Sequence, residues 1–274
     1  PLMVLALAIT LGARKTKRIG DLHGSSHWAT EEEIKDTALL NEKGVYVGGW
    51  VDPKAGAGKV RYLRHNGPEH IIAFAPTRSG KGVGLVLPTL LSWEESAVVL
   101  DIKGENYALT SGWRKKYANN TILRCDFSNP TDCARYNPLA EIRIGTSFEV
   151  GDAQNLATII VDPKGEGLKS HWDKTSFDLL TGIILHACYM AIVEGKTPTL
   201  PQAGRMLSDP ERTIDVLLNE MLTYPHVDGK PHYVIASSAR DMLDKPEQEA
   251  GSVVSTAKSF LSLFKDPVVA ANVS

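Results

Sequence analysis

Short apolar runs alternate with amphipathic stretches in the first half of the chain. Residues 71–75 form a short apolar strand pattern. Residues 97–100 form a continuous apolar run, typical of a strand buried on both faces of a parallel sheet, and residues 121–125 have the pattern of another strand. Helices are predicted between these runs, over residues 81–91 and 106–118. This alternation of strand and helix predicts a parallel α/β sheet with crossover helices.

Two strands and one helix are predicted closer to the N-terminus. Residues 45–51 and 59–64 have the pattern of strands, and the turn-rich segment 52–58 joins them. Thr30 is predicted to cap a short helix, because Glu33 follows it three residues later, as in a capping box.

The pattern becomes helical near residue 148, and no convincing strand pattern follows. Apolar residues then recur at spacings of three and four, most clearly over residues 172–193. Ser208 and Glu211 form a capping-box pair that predicts a further helix start, and Pro246 is predicted to open the last helix. Two shorter helices are predicted over residues 148–160 and 234–243. This region therefore has the pattern of a separate all-helical domain or a large helical insertion.

The composition narrows the classes of protein that fit this pattern. The chain has 30 basic and 32 acidic residues and a net charge of −2, which excludes a wholly basic nucleic-acid binder. Its 43% hydrophobic and 23% charged residues are ordinary for a globular protein. The 3 cysteines have the spacing of neither a disulfide framework nor a metal site, which favours reduced thiols.

Residues 1–11 are the candidate membrane segment. They are almost wholly apolar, and a basic cluster follows them, whereas a signal peptide carries its positive charge before the apolar run. The positive-inside rule places such a cluster where a membrane helix enters the cytoplasm. We therefore predict that residues 1–13 are the end of a transmembrane helix. The alternative is a buried N-terminal helix. The basic cluster consists of Arg14, Lys15, Lys17 and Arg18.

A glycine-containing loop between a predicted strand and a predicted helix is the main candidate site. That context is the one in which backbone N–H groups and a helix N-terminus bind phosphate. Gly80 lets the backbone approach a ligand closely, and Lys81 supplies positive charge to a phosphoryl group. The candidate nucleotide-binding residues are Ala75, Pro76, Thr77, Arg78, Ser79, Gly80, Lys81, Gly82 and Val83.

The loop departs from the general pattern G-x-x-x-x-G-K-[ST] at both ends. Ala75 stands at the first glycine, which is a mild change of one methyl group. Gly82 stands where a serine or threonine would bind Mg²⁺, so the usual metal ligand is absent. Thr77, Ser79 or a water molecule are the candidates to fill that place, and the sequence does not choose among them.

Asp101 ends the next apolar run and is the candidate acidic residue. The carboxyl ends of parallel strands form the crevice in which such sheets bind ligands, so Asp101 is a candidate Mg²⁺ ligand or catalytic group. The alternative is that Asp101 caps the following helix. Both interpretations stay open at this stage.

Several separated motifs together resemble the TraG-type coupling proteins of conjugative type IV secretion systems. The resemblance runs over nearly the whole chain, and Gly82 after Lys81 is typical of that family. The matching stretches are 24–29 (GSSHWA), 75–84 (APTRSGKGVG), 98–107 (VVLDIKGENY), 136–140 (YNPLA), 171–185 (HWDKTSFDLLTGIIL) and 255–272 (STAKSFLSLFKDPVVAAN).

The resemblance implies an inner-membrane ATPase that faces the cytoplasm and assembles as a homo-hexamer. It implies a RecA-like P-loop domain, interrupted by an all-α domain that recognises substrate. Such proteins bring a relaxase–DNA complex or an effector protein to the components of the secretion channel. Carried over to this sequence, residues 75–83 would bind ATP and Mg²⁺, with Lys81 at the β- and γ-phosphates.

The resemblance also implies a domain organisation. It leads us to expect that the chain is truncated at both ends, since the family's Walker B strand, ending in Asp-Glu, is not found here. The fragment is therefore expected to hydrolyse ATP weakly or not at all. The expected parts are a transmembrane end (1–13), a linker and short helix (14–44), the first part of the RecA-like domain (45–147), the all-α domain (148–270) and a return segment (271–274).

Two other functions compete with an ATP-driven motor. The first is a scaffold that binds nucleotide to order a ring but does not hydrolyse it. The second is a small-molecule P-loop kinase, which the long helical region and the membrane-like start disfavour.

Two further groups of residues have less specific patterns. Arg114, Lys115 and Lys116 form a basic run, interpreted either as a solvated helix end or as a DNA-facing patch. His171, His186 and His226 are scattered along the chain, without the spacing of a metal site.

Overall fold

The computed structural model describes residues 27–52 and 60–274. The predicted membrane segment lies outside the described residues. The chain divides into two compact units, Pro1–Ile122 and Leu123–Ser274. Residues 123–147 belong to the second unit because Leu139 and Ile142 are buried in its core. The domain boundaries inferred from the resemblance stay a prediction.

The first unit begins with a capped helix. Helix α1 (Glu31–Asp36) follows Thr30, whose hydroxyl accepts a hydrogen bond from the backbone N–H of Glu33 at 3.3 Å. The Glu33 carboxylate accepts the backbone N–H of Thr30 at 2.8 Å. This reciprocal pair confirms the predicted capping box.

A two-stranded antiparallel ribbon follows. Strands β1 (Val45–Trp50) and β2 (Arg61–His65) pair, with an irregularity in register between Tyr46 and Gly48. Both predicted strands are confirmed, with their ends displaced by one or two residues.

The predicted parallel strands are not formed in the part of the chain that the structure describes. Residues 71–75, 97–100 and 121–125 are assigned to no strand, and β1 and β2 form the one sheet among the described residues. The side chains of Phe74 and Leu100 are 89% and 88% exposed. A parallel strand needs neighbours about 4.8 Å away on each side to take its N–H and C=O groups. The apolar runs therefore have no partner strands among the described residues, and most of their large side chains stay exposed.

Two helices of the first unit connect these extended runs. A π-helical turn (Gly82–Val86) continues into α2 (Leu87–Leu90), and α3 (Glu105–Lys116) follows the next extended run. Both lie where helices were predicted.

Arg114 on α3 is buried rather than solvated. Only 7% of it is exposed, and its guanidinium donates to the backbone carbonyls of Leu90, Trp93 and Glu95 at 3.0, 2.7 and 2.7 Å. Both interpretations of the basic run are therefore wrong for Arg114, which instead joins α3 to the connection after α2. The neighbouring Lys115 is exposed.

From residue 149 onward, the regular elements of the second unit are helices, as predicted. Its long central helix α5 carries most of the core, and α4, α6, α8 and α9 pack against it. The helices are α4 (Glu149–Val161), α5 (His171–Val193), α6 (Leu200–Leu207), α7 (Ile214–Thr223), α8 (Tyr233–Leu243), α9 (Glu247–Phe260) and α10 (Pro267–Asn272), with 3-10 turns at Pro138–Glu141 and Ser262–Lys265.

Helix α5 is long and apolar enough to cross a membrane by length and composition. However, 72% of its most apolar window is buried inside the second unit. Such burial is typical of the central helix of a globular core, so this helix is weak evidence for a membrane span.

Three local predictions in this unit were wrong. The helix that follows Pro246 is not the last one, because α10 (Pro267–Asn272) comes after it. Helix α6 was missed, although Thr199 caps it by accepting the backbone N–H of Gln202 at 3.3 Å. The capping-box pair at Ser208 and Glu211 starts no helix, because the Asp209 side chain accepts the backbone N–H of Glu211 at 2.9 Å. This local turn competes with helix formation, and α7 begins three residues later.

Candidate phosphate-binding loop

The backbone of residues 75–83 is curved by two residues in the left-handed region. Arg78 has φ +63° and Gly80 has φ +89°, on either side of Ser79. The N–H of Ser79 donates to the carbonyl of Pro76 at 3.3 Å, which closes the turn. Backbones of this kind direct N–H groups toward a common point and form anion-binding concavities.

Glycine is required at position 80 by conformation rather than by crowding. A Cβ built there meets nothing within 4 Å, but φ +89° is a conformation that other residues rarely adopt. Gly82 also has open space around it and has no positive φ. A side chain therefore fits at position 82 but strains position 80.

The helix that follows the loop presents its N-terminus to the same place. Lys81 is the residue before the π-helical turn, so the N–H groups of Gly82 and Val83 are among those without helical acceptors. The helix N-terminus adds partial positive charge, which favours a bound anion.

The ammonium group of Lys81 folds back over the loop. Its Nζ atom donates to the carbonyl oxygens of Ala75 and Pro76, the latter at 2.9 Å. Within the described ranges, Lys81 makes no ion pair with a carboxylate. Its charge is therefore held in place by neutral acceptors and is available to an anion.

Asp101 is placed at the start of α3. Its Oδ2 atom accepts the backbone N–H of Tyr107 at 2.8 Å, and its Oδ1 atom lies 3.4 Å from the Asn106 amide nitrogen. The Asp101 carboxylate thus accepts an N–H group of the first turn of α3, as the helix-capping interpretation expects, although the N-cap residue itself is Gly104. A role for Asp101 in metal binding stays a prediction.

The loop fits a phosphate group better than it fits a metal ion by itself. Thr77 and Ser79 are exposed, and Gly82 offers no side-chain oxygen. No cluster of three or more His, Cys, Asp or Glu side chains suited to a metal occurs in residues 27–52 and 60–274. Any Mg²⁺ at the loop would therefore need ligands from the nucleotide, from water, or from Thr77, Ser79 or Asp101.

The histidines of the second unit are not as scattered as their positions suggest. The Nδ1 atom of His186 lies 2.8 Å from the Nε2 atom of His226. The two residues are 40 positions apart, and no spacing rule joins residues so distant in the chain. Only the packing of the helices reveals this contact.

Comparison with known proteins identifies the family. The profile of the type IV secretory system conjugative DNA transfer family matches residues 27–274. The chain belongs to this family. The resemblance to TraG-type coupling proteins is therefore confirmed, and the matched region includes both the loop and Asp101.

Individual relatives agree with the family profile. Two conjugal transfer proteins TraG from Escherichia coli are 56% and 53% identical, over 92% and 100% of this chain. A protein VirD4 from Rhizobium radiobacter is 26% identical over 100% of it. These alignments cover 42%, 45% and 38% of the relatives, so the chain spans less than half the length of each.

Proposed function

We propose that this chain is the nucleotide-binding and substrate-recruiting part of a type IV secretion coupling protein. The loop at residues 75–83 would hold the phosphates of ATP, and the whole protein would couple ATP hydrolysis to conjugative transfer. The observation that carries this proposal is the left-handed backbone at Arg78 and Gly80 together with the Lys81 ammonium group, which no carboxylate of residues 27–52 and 60–274 neutralises.

Each part of the loop would have a separate task. The backbone N–H groups near Ser79 and Gly82 would donate to phosphate oxygens, as helix N-termini do. Lys81 would exchange its carbonyl acceptors for phosphate oxygens and gain a charge-assisted hydrogen bond. Mg²⁺ would neutralise charge that develops on the phosphates when it is bound with the nucleotide.

The remaining parts of the proposal concern the whole protein. The helical unit would recruit a relaxase–DNA complex or an effector protein. The assembled protein would be a homo-hexamer at the cytoplasmic face of the bacterial inner membrane, anchored by N-terminal helices and joined to the secretion channel. The family and the TraG names of its relatives support these parts.

Binding of MgATP to the 274-residue chain tests the loop. We expect Lys81→Ala to weaken binding at least about tenfold, because a charge-assisted hydrogen bond to phosphate is lost. Lys164→Ala, at an exposed lysine of the second unit, is the matched control and should leave affinity unchanged. Equal affinities of the two variants would remove Lys81 from the site. Titration calorimetry measures both.

Hydrolysis by the full-length protein separates the motor from the scaffold. DNA-stimulated ATP turnover that Lys81→Ala abolishes supports the motor. Nucleotide binding without turnover supports the alternative, a scaffold ordered by nucleotide. The present chain should show little turnover, and rapid turnover would give Asp101 or Glu105 the role expected of the Walker B acid.

A further inference from the structure

Three histidines of the second unit form a connected chain in its core. The Nδ1 atom of His186 lies 2.8 Å from the Nε2 atom of His226, whose Nδ1 atom lies 3.2 Å from the backbone nitrogen of His232. His186 is fully buried in the middle of α5, and the other two lie in the connection from α7 to α8. These three residues are called the histidine chain below.

The direction of both hydrogen bonds follows from one donor. The backbone nitrogen of His232 carries a hydrogen, so the Nδ1 atom of His226 accepts. A neutral ring that accepts at Nδ1 carries its proton at Nε2, so His226 donates to the Nδ1 atom of His186. His186 then carries its own proton at Nε2. A proton on Nδ1 of His226 would point at the N–H of His232, and a proton on Nδ1 of His186 would point at the Nε2–H of His226. Either proton would break the corresponding hydrogen bond.

Two charged groups, one on α7 and one just before it, lie near the buried end of the histidine chain. The Nε2 atom of His186 lies 3.9 Å from the Oε2 atom of Glu220, which is beyond hydrogen-bond distance. That carboxylate already accepts the guanidinium of Arg212 at 2.5 Å. The ring of Tyr224 meets the His186 ring edge-on, with centroids 5.6 Å apart. The Nε2 atom of His186 therefore has no hydrogen-bond acceptor among the described residues.

Groups on α4 and α5 face the other end. The Nε2 atom of His232 lies 3.1 Å from the Oε1 atom of Glu149. The Oε2 atom of that carboxylate accepts the hydroxyl of Tyr189 and the backbone N–H of Gly145, both at 2.8 Å. Burial raises the pKa of Tyr189, and its hydrogen bond to Glu149 raises it further. The Glu149 carboxylate, which accepts several hydrogen bonds, thus holds the His232 end of the histidine chain in place.

The surroundings keep the two linked rings neutral at neutral pH. Burial lowers the pKa of His186 to about 4, and the charge of Arg212 lowers it further. Burial also lowers the pKa of His226 to about 4, assisted by His186 and His232 and opposed by Glu220 and the Tyr224 backbone. An ordinary histidine has a pKa near 6.5. His186 and His226 therefore become protonated only at acid pH.

A tight exposed turn lies between the last two members of the histidine chain. Val227 and Lys230 exchange backbone hydrogen bonds of 3.0 and 2.8 Å. Asp228 and Gly229 between them have φ +49° and +74°, the pattern of a type I′ turn. All four residues are exposed, whereas His226 and His232 on either side reach into the core.

We propose that the histidine chain is an acid-released clamp that fastens residues 224–232 to the helical core. While the rings are neutral, the two hydrogen bonds hold the segment against α5. One proton on the Nδ1 atom of His186 or His226 turns an attractive contact into a repulsive one. The part of the segment around His226 is released from α5, while His232 keeps its contact with Glu149 and the apolar core around α5 stays closed.

Nitrogen NMR of the histidine rings in the 274-residue chain tests the proton positions. At pH 7 we expect His186 and His226 to carry their protons at Nε2 and to have bare Nδ1 atoms. We expect the protection of the His232 amide against hydrogen exchange to fall at least about tenfold between pH 7 and pH 4, since local opening sets that rate. The amides of Ile183 and Ile184 should keep their protection.

A pair of variants separates the clamp from general acid sensitivity. In His226→Asn, the amide oxygen can accept the His232 N–H and does not titrate, so protection of that amide should no longer depend on pH. His171→Asn, at an exposed histidine that meets Glu249, should behave like the unaltered chain. A proton at Nδ1 of His226 at pH 7, or a His232 amide insensitive to acid in the unaltered chain, overturns the proposal. Both readouts use the unaltered chain and decide the matter even if His226→Asn does not fold.

Discussion

The two units of this protein differ in how far their apolar residues are buried. In the second unit, five helices (α4 and α6–α9) pack around α5, and Leu180, Ile183 and Ile184 are completely buried. In the described part of the first unit, the apolar runs that contain Phe74 and Leu100 remain exposed.

The difference shows how far each kind of element depends on distant residues. A helix satisfies its backbone groups within its own segment and needs only one apolar stripe to be covered. An extended run needs partner strands that lie elsewhere in the chain. The helical unit therefore buries its apolar residues with its own helices, whereas the described apolar runs of the first unit, next to the candidate loop, remain exposed.

Truncation of a core side chain should show the largest effect. Ile184→Ala is expected to lower the free energy of unfolding by about 2–5 kcal/mol, because it leaves a cavity in a closed core. Leu100→Ala is the matched substitution in the first unit and should change it by less than about 0.5 kcal/mol. Denaturant unfolding measures both. A large loss in Leu100→Ala would mean that the first unit buries this run in solution.

Substitution of Arg114 tests whether its buried hydrogen bonds stabilise the first unit. Arg114→Met should cost about 2–3 kcal/mol, since the carbonyls of Leu90, Trp93 and Glu95 lose a charged donor. Lys115→Met, on the exposed neighbour, is the control and should be nearly neutral. If the two variants unfold alike, the buried guanidinium does not stabilise this unit.

Substitution of Gly80 in the candidate phosphate-binding loop tests whether its left-handed conformation is needed for stability and for nucleotide binding. Gly80→Ala should destabilise the chain by about 1 kcal/mol, because alanine is unfavourable at φ +89°. The same substitution should weaken nucleotide binding, since the curvature of the loop depends on that conformation. Gly84→Ala, where φ is not positive and space is open, is the comparison. Thermal unfolding with and without MgATP measures both effects, and identical losses would refute the conformational requirement.

The smallest effect concerns an exposed ion pair of the second unit. Hydrogen bonds from Arg143 lower the pKa of Asp152 to about 2, from an ordinary 3.8. The unfolded chain therefore binds the proton first, and stability from this pair is lost as pH falls from about 4 to about 2. Asp152→Asn should flatten the pH dependence of the melting temperature over that interval. An unchanged dependence would show that the pair has no stabilising role.

Much of the helical unit was predictable because its signals are local. The periodic apolar stripe of α5 and the positions of α4, α8 and α9 could be inferred within a few residues. Helix α6 was missed because it has only 8 residues, too few for its period to stand out. The turn at Asp209 was predicted to start a helix because a capping pattern and a local turn use the same residue types.

The candidate site likewise has features that the sequence predicts and features that it does not. Loop, lysine and following helix could be predicted because the motif is contiguous in sequence. The fold-back of Lys81, the contact of Asp101 with α3 and the burial of Arg114 could not, because each is a contact whose geometry the sequence does not specify.

By itself, the sequence determined the family, the position of the candidate phosphate-binding loop and the helical character of the second unit, because these depend on motifs and on periodicity along one segment. Only the tertiary structure decided that Arg114 is buried, that Asp101 lies at a helix start and that His186 meets His226. The physical reason is that burial and hydrogen bonding between distant residues arise from packing, and packing is a property of the whole unit.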